Sequence, residues 1–427
     1  MGNLCRRSSR ASQLPESSLR SPPRTNYEVG RFCEWCDAKE NSGVCICRNT
    51  VGSCLCPPNA APSPSCVFFS PRIQALLEGN RTEEETTKDH WTGVQPTSQA
   101  EEERIGEENR KYFDEVLVNH PDWGDLFTKF VGLELDAKIG EGGQAEIFEA
   151  RCRFRSMFTR ERSGAHWVAK VWKVGVSLKD LEQQWPPEML NKLSQRNRDW
   201  PFKNICGATF IRDGKFKNRF AFVMRRHWGD LRTLIDQRMH NLLCNNKNHG
   251  PPFPKVEDVY RLILVISEDL WKMHEAGVLH RDIKASNILL YSPYKGAYPV
   301  VIDFECSMGV TGTGFFRAPE ILEQVQKRVP CNELVFTEKA DIYSFGMMCY
   351  EVITGCIPFE GHPLSDYSIV LSGERPKLPH DLNPNLKELI LACWQHDPQL
   401  RPTSLEIYTK LEYLKHLSSR GIYFRLE

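Results

Sequence analysis

The chain has 427 residues, with 55 basic and 55 acidic side chains and no net charge at neutral pH. That length exceeds one small core and implies two domains, or one large domain with a tail. Zero net charge excludes a global field that would select nucleic acid or an acidic partner. No apolar run approaches the roughly 20 residues of a membrane-spanning helix.

Residues 1–100 read as a disordered N-terminal region, basic first and then rich in cysteine. Its polar, Arg-rich start lacks the apolar core of a secretory signal, so the chain is expected in the cytoplasm. Met1-Gly2-Asn3-Leu4-Cys5-Arg6-Arg7-Ser8 resembles a lipidation signal. Gly2 is the candidate for a myristoyl chain and Cys5 for a palmitoyl chain, with Arg6, Arg7 and Arg10 drawn to anionic lipid, so a peripheral membrane contact is expected. The departure is Arg6, where that motif has Ser or Thr. Eight of the 16 cysteines fall in the first 66 residues: Cys5, Cys33, Cys36, Cys45, Cys47, Cys54, Cys56 and Cys66. A CxxC followed by CxC supplies four thiolates, enough for one tetrahedral Zn²⁺. The alternatives are a palmitoylated or redox-sensitive tract.

Residues 101–132 read as an acidic, amphipathic helical extension, with Tyr112, Phe113, Val116 and Leu117 partly at helical spacing. Strand character begins near Leu133. Gly140-Glu141-Gly142-Gly143 then marks a turn whose small residues let a strand-turn-strand close over phosphates with backbone N–H groups. His166-Trp167-Val168-Ala169-Lys170-Val171-Trp172 alternates as a strand. Pro186-Pro187-Glu188 opens a helix, because proline belongs in a first helical turn. Phe220 to Met224 is another strand. Residues 240–257, rich in Asn, Gly and Pro, read as a surface insertion. The next helix runs from Val256 to Ala276, with Val259, Leu262, Val265, Ile266, Leu270 and Met273 on one face.

That helix delivers His280-Arg281-Asp282-Ile283-Lys284-Ala285-Ser286-Asn287, and a strand sixteen residues further on delivers Asp303. Phosphoryl transfer asks little covalent chemistry of a protein. It needs a carboxylate to orient the attacking hydroxyl, a cation against the phosphates and oxygen ligands for Mg²⁺. Asp282, Lys284 and the pair Asn287 with Asp303 meet those three needs.

This order of motifs resembles the eukaryotic protein kinases of Ser/Thr type, with a plant-like cast in Ser286-Asn287-Ile288-Leu289-Leu290. The resemblance covers residues 133–415. It implies an α+β, two-lobed kinase fold: a small β-rich lobe over 133–224, a helical lobe over 228–415, and a tail over 416–427. It implies ATP and Mg²⁺ as cofactors, a protein substrate and no nucleic acid. Residue by residue, Ile139, Gly140, Glu141, Gly142, Gly143, Ile147, Met224 and Leu289 would line the nucleotide. Lys170 would hold the phosphates and Glu188, with Glu182 as the fallback, would hold Lys170. Asp282 and Lys284 would act on the hydroxyl, and Asn287 and Asp303 would take the metal. Thr313 would steady the loop, Asp341 would brace it, and Arg401 would pair with Glu320. Arg281 would meet a phosphate at Ser307 or Thr311, in a segment of only 18 residues from Asp303 to Glu320. Two family glycines are replaced, by Ala145 and Glu305. Losing the second is expected to cost backbone freedom. These departures leave open a scaffold that binds nucleotide without turnover, and the cysteines a zinc-binding module.

Overall fold

The computed structural model describes residues 98–419 apart from 124–125, 127–132, 142–144, 153–166, 174, 183–184, 196–198, 245–249, 292–297, 306–309, 311 and 331–332. The lipidation signal, the cysteine cluster, Gly142, Gly143, Ser307, Thr311 and the tail beyond 419 lie outside the described residues.

Helix α1 (Gln99–Asn119) starts at Ser98, whose hydroxyl accepts from Glu101 N, and carries Glu101 and Glu102 in its first turn, where the helix dipole favours acids. It buries Phe113 and Val116. Phe113 stacks on Phe210 at 5.6 Å between ring centroids and lies 6.1 Å from Phe220. The helix extension therefore packs on the domain behind it, as its spacing predicts.

The small lobe is a five-stranded antiparallel sheet, ordered β1 (Leu133–Glu141), β2 (Ala145–Cys152), β3 (Trp167–Trp172), β5 (Arg219–Arg225), β4 (Ile205–Ile211). Side chains alternate between faces of a strand. Ala169 and Val171, both fully buried, join Phe148, Ala150 and Ala221 in a cluster on one face. Lys170 must then project from the opposite face. Two short helices follow β3: α2 (Leu178–Glu182) and α3 (Pro187–Ser194), the latter starting at the predicted proline.

The large lobe opens with strand β6 (Gly229–Asp230) and helix α4 (Leu231–Cys244). This helix runs into the stretch expected as an insertion. The reason is tertiary: Arg238 lies 4.4 Å from the ring centroid of Phe253, which is buried, so the Pro-rich segment folds back onto the helix. Helix α5 (Val256–Glu275) buries its apolar face and has acids in its first turn, Lys272 and His274 in its last. Strand β7 (Ile288–Leu290) pairs with β6 on one side and β8 (Pro299–Val301) on the other in a three-stranded sheet. Beyond come α6 (Pro319–Gln326), α7 (Glu338–Thr354), α8 (Ser368–Leu371), α9 (Pro384–Cys393) and α10 (Ser404–Ser419). Helix α7 is buried nearly all round and stops at Gly355, whose φ of +80° is a left-handed cap. A Cβ there would also lie 2.6 Å from Met239 Sδ, so glycine answers both demands. Arg401, fully buried, makes the predicted pair with Glu320, and the structure makes it bidentate, at 2.7 and 2.8 Å.

Candidate active site

The loop after α5 is held by its backbone. Asp341 on α7 accepts from His280 N and Arg281 N, each at 2.7 Å, and lies 3.0 Å from His274 Nε2. Burial alone would raise the Asp341 carboxyl, but the His274 contact and the loop N–H groups hold it below the usual range. Glu351, one helix turn before the end of α7, accepts from Ala285 N at 2.8 Å and pairs with the buried Arg232 at 3.2 Å. His280 Nε2 lies 2.7 Å from Ile302 O, tying the loop to the residue between β8 and Asp303. Arg281 sits in the left-handed region, φ +68°, with its guanidinium 4.6 Å from the Phe336 ring.

Within that frame, Lys284 Nζ is 3.0 Å from Asp282 Oδ2 and donates to Thr313 Oγ1 at 2.7 Å. Asn287 Nδ2 donates to Asp282 O at 2.8 Å and to Oδ2 at 3.2 Å. The amide nitrogen is thereby committed, leaving Asn287 Oδ1 as the atom for a cation. The other carboxylate oxygen of Asp282, Oδ1, is buried and receives no hydrogen bond. A buried acceptor without a donor is costly in a native fold unless a ligand completes it.

Asp303 follows β8, which Asp269 of α5 anchors by accepting from Val301 N at 3.1 Å. Burial pushes the Asp269 carboxyl up to about 8. Asp303 itself adopts φ +67° and opens to the cleft, with 43% of its side chain exposed. Desolvation opposes its ionisation, and the Lys170 ammonium outweighs it, so the carboxyl titrates below the ordinary range. An ionised carboxylate and an amide oxygen form a hard donor set that suits Mg²⁺.

Lys170 departs from expectation. Its Nζ lies 2.6 Å from Glu305 Oε1 and 3.1 Å from Asp303 Oδ1. Glu188, assigned by resemblance to this role, is exposed and stands instead against the turn after α5, where a Cβ on Gly277 would lie 3.3 Å from its Cγ. The fallback Glu182 accepts from Tyr112 of α1. Both assignments are corrected for one physical reason. Helix α3 starts at its proline and is only eight residues long, and α2 is drawn to α1, so neither Glu188 nor Glu182 reaches the face of β3 that bears Lys170. Glu305 is also not a strained substitute for glycine. In this segment the positive φ falls at Asp303 and not at Glu305.

The nucleotide-facing candidates spread over the small lobe and its junction. Ile139 on β1 is 49% exposed, Met224 on β5 is buried, and Leu289 lies on β7. Gly140 pairs with Ile147 across β1 and β2. Glu141 is bonded by Lys138 and Lys173, which pull its carboxyl down to about 2. At the junction, burial and Arg225 push His227 down to about 4, and Asn204 lies 2.8 Å from its Nε2. Among the described residues, no group of three or more His, Cys, Asp or Glu side chains is arranged to hold a metal, and no helix is long and apolar enough to cross a membrane.

Sequence reasoning missed Glu305 as the partner of Lys170, Glu351 as a loop brace and Asp269 as an anchor. The two latter acids carried a signal: each interrupts an apolar helix face, and a buried acid must find a donor.

Residues 236–413 match the family model for a protein kinase domain. The chain is 34% identical over 332 residues to a light-sensor protein kinase of Ceratodon purpureus, covering 71% of this chain and 23% of that protein. It is 35% identical over 165 residues to the dual specificity protein kinase pyk3 of Dictyostelium discoideum, covering 37% and 12%. Over 178 residues it is 33% identical to the serine/threonine/tyrosine-protein kinase HT1 of Arabidopsis thaliana, covering 39% and 43%. The chain thus spans less than half the length of each of these relatives. With its β-rich small lobe, its helical large lobe and these matches, the chain belongs to the eukaryotic protein kinase superfamily.

Proposed function

We propose that this chain is an ATP-dependent protein kinase that transfers the γ-phosphoryl group to serine or threonine hydroxyls of a protein. The observation that carries the reading is Asp282 Oδ1, a buried carboxylate oxygen with no donor, beside an Oδ2 that Lys284 and Asn287 both hold. In this reading a substrate hydroxyl is the donor that completes that acceptor. In the proposed step the hydroxyl oxygen attacks the γ-phosphorus in line, the bond to the β,γ-bridging oxygen breaks, ADP leaves, and Asp282 takes the hydroxyl proton. Lys284, beside Asp282 Oδ2, steadies the transferred group, and Lys170 orients the phosphates that stay with ADP. A magnesium ion, held by Asn287 Oδ1 and Asp303, would supply charge neutralisation on the phosphates. Lys284, two residues after Asp282, supports Ser/Thr rather than Tyr acceptors. Cytoplasmic placement, with membrane contact through Gly2 and Cys5, belongs to the same proposal on sequence grounds alone.

The test is autophosphorylation of the full chain with Mg²⁺-ATP beside Asp282→Asn, followed by phosphoamino-acid analysis. Label on the wild type alone, on Ser and Thr, supports the reading; label on Tyr alone removes the acceptor assignment. The displaced Glu188 favours a second reading, a nucleotide-binding scaffold. ATP bound with no label on either protein would favour it.

A further inference from the structure

Lys170 projects from the sheet because its neighbours Ala169 and Val171 are taken by the apolar cluster. Only 13% of its side chain is exposed, so its charge requires a partner. The nearer partner is Glu305 at 2.6 Å, whose side chain is 1% exposed. An ionised carboxylate buried to that degree is tolerated only when paired, and Lys170 is the cation at hand. Of the two acids that the resemblance offered for this task, Glu182 accepts from Tyr112 and Glu188 is exposed beside the turn at Gly277. The backbone that aims Glu305 is itself packed. Phe304, 1% exposed, meets Phe202 edge-on at 5.4 Å.

We infer that Glu305 is the positioning acid for Lys170, a task that the helix acid Glu188 does not perform in this chain. The inference rests on the proposed role of Lys170 at the phosphates. It turns the replaced glycine from a defect into a working part. Asp303 and Glu305 lie two residues apart and both reach the same ammonium, so one turn of backbone carries the metal-ligand candidate and the lysine's counter-ion together. Alignment of Lys170 then depends on the start of the segment after β8, not on movement of α3. Any event that displaces residues 303–305 releases the lysine and the metal-ligand candidate in the same motion.

Two readouts on the full chain test this, the first independent of catalysis. Acylation of Lys170 by a small amine-reactive reagent, followed by peptide mass spectrometry, reports how well the ammonium is held. Glu305→Gln and Glu305→Gly are expected to speed acylation several-fold, Glu305→Asp to restore much of the protection, and Glu188→Gln and Glu182→Gln to leave the rate at the wild-type value. The second is equilibrium binding of Mg²⁺-ATP with a fluorescent analogue. Glu305→Gln is expected to weaken it about tenfold, the scale of one charged hydrogen bond, and Glu305→Gly at least as much. If the wild type binds and shows this pattern without autophosphorylating, the inference stands and the kinase reading fails. The inference is overturned if Glu188→Gln, not Glu305→Gln, exposes Lys170. It is equally overturned if Glu305→Gln or Glu305→Gly raises ATP affinity or autophosphorylation, since Glu305 would then be a latch holding the lysine away from phosphate. Should Glu305→Gln lose its melting transition, Glu305→Asp and Glu188→Gln still decide between the two acids.

Discussion

The loop at 280–287 and the lysine on β3 serve one reaction but are built in opposite ways. The loop is a local construction. Asp282, Lys284 and Asn287 bond one another within five residues, and Asp341 and Glu351 of one buried helix take its backbone N–H groups. Lys170 meets acids from far along the chain: Asp303 and Glu305 arrive from 133 and 135 residues away. Spacing within a motif fixes partners that share a turn. A residue whose partners come from another lobe can exchange one acid for another as long as a charge reaches the same point. The contrast teaches that an altered motif on the distant side is weaker evidence of lost function than one inside the loop.

Four substitutions would break or sharpen this comparison. The largest effect is expected for Asp341→Ala, which strips acceptors from two buried backbone N–H groups at once. It should lower phosphorylation by about a hundredfold or more and stability by about 3–5 kcal/mol, the range for breaking a buried polar network. Melting and turnover measured together would show it; a stable, active variant would mean the loop holds itself. Because the Asp341 carboxyl is depressed in the fold, its contribution is present above the ordinary carboxylate range and is lost as pH falls below it. An acid titration of the wild type should show that loss, and Asp341→Ala should lack it.

Phe113→Ala should come next, removing the ring that stacks on Phe210 and lies beside Phe220. A cost of about 3 kcal/mol is expected, read by denaturant unfolding. Proteolysis should then cut within residues 99–119 first, with the loop at 280–287 protected. Simultaneous cleavage in both lobes would show that α1 supports the whole domain.

Asp269→Asn probes the large lobe beneath the loop. The folded-state carboxyl sits near 8, above its unfolded value, so its stabilisation is complete below about pH 4 and drains away as pH rises through 8. Wild-type stability should fall across that window by no more than about 1.4 kcal/mol per pH unit from this group. Asn can still accept from Val301 N and should remove the slope. A slope unchanged in Asp269→Asn would assign it to another group. The smallest effect is expected for Arg104→Ala. Its pair with Glu108 on α1 is exposed at both ends, so stability should move by about 0.5 kcal/mol or less. A larger drop would give α1 an electrostatic role that its buried face does not require.

Much of this was legible in the chain itself. The 3.6-residue period exposed α1 and α5, the two-residue period exposed β3, and Pro187 marked the start of α3. The close set of Asp282, Lys284 and Asn287 announced its own contacts. The extent of α4 was not legible, because Asn and Pro composition argues for a loop until Phe253 is seen beside Arg238. Nor was the fate of Glu188, since helical register states which face an acid occupies but not how far the helix stands from a strand in sequence space 18 residues earlier.

By itself, then, the sequence determined which residues are chemically able to take part: their identity, their local period and the contacts possible within one turn of chain. These follow from backbone geometry that acts over a few residues. Only the tertiary structure decided which acid meets Lys170, which oxygen of Asp282 stays open, and that Glu351 and Asp269 turn inward to the loop and its strand. Those outcomes depend on where separate elements come to rest, and on the rule that a charge removed from water must find an opposite charge or a hydrogen bond wherever the packing leaves one.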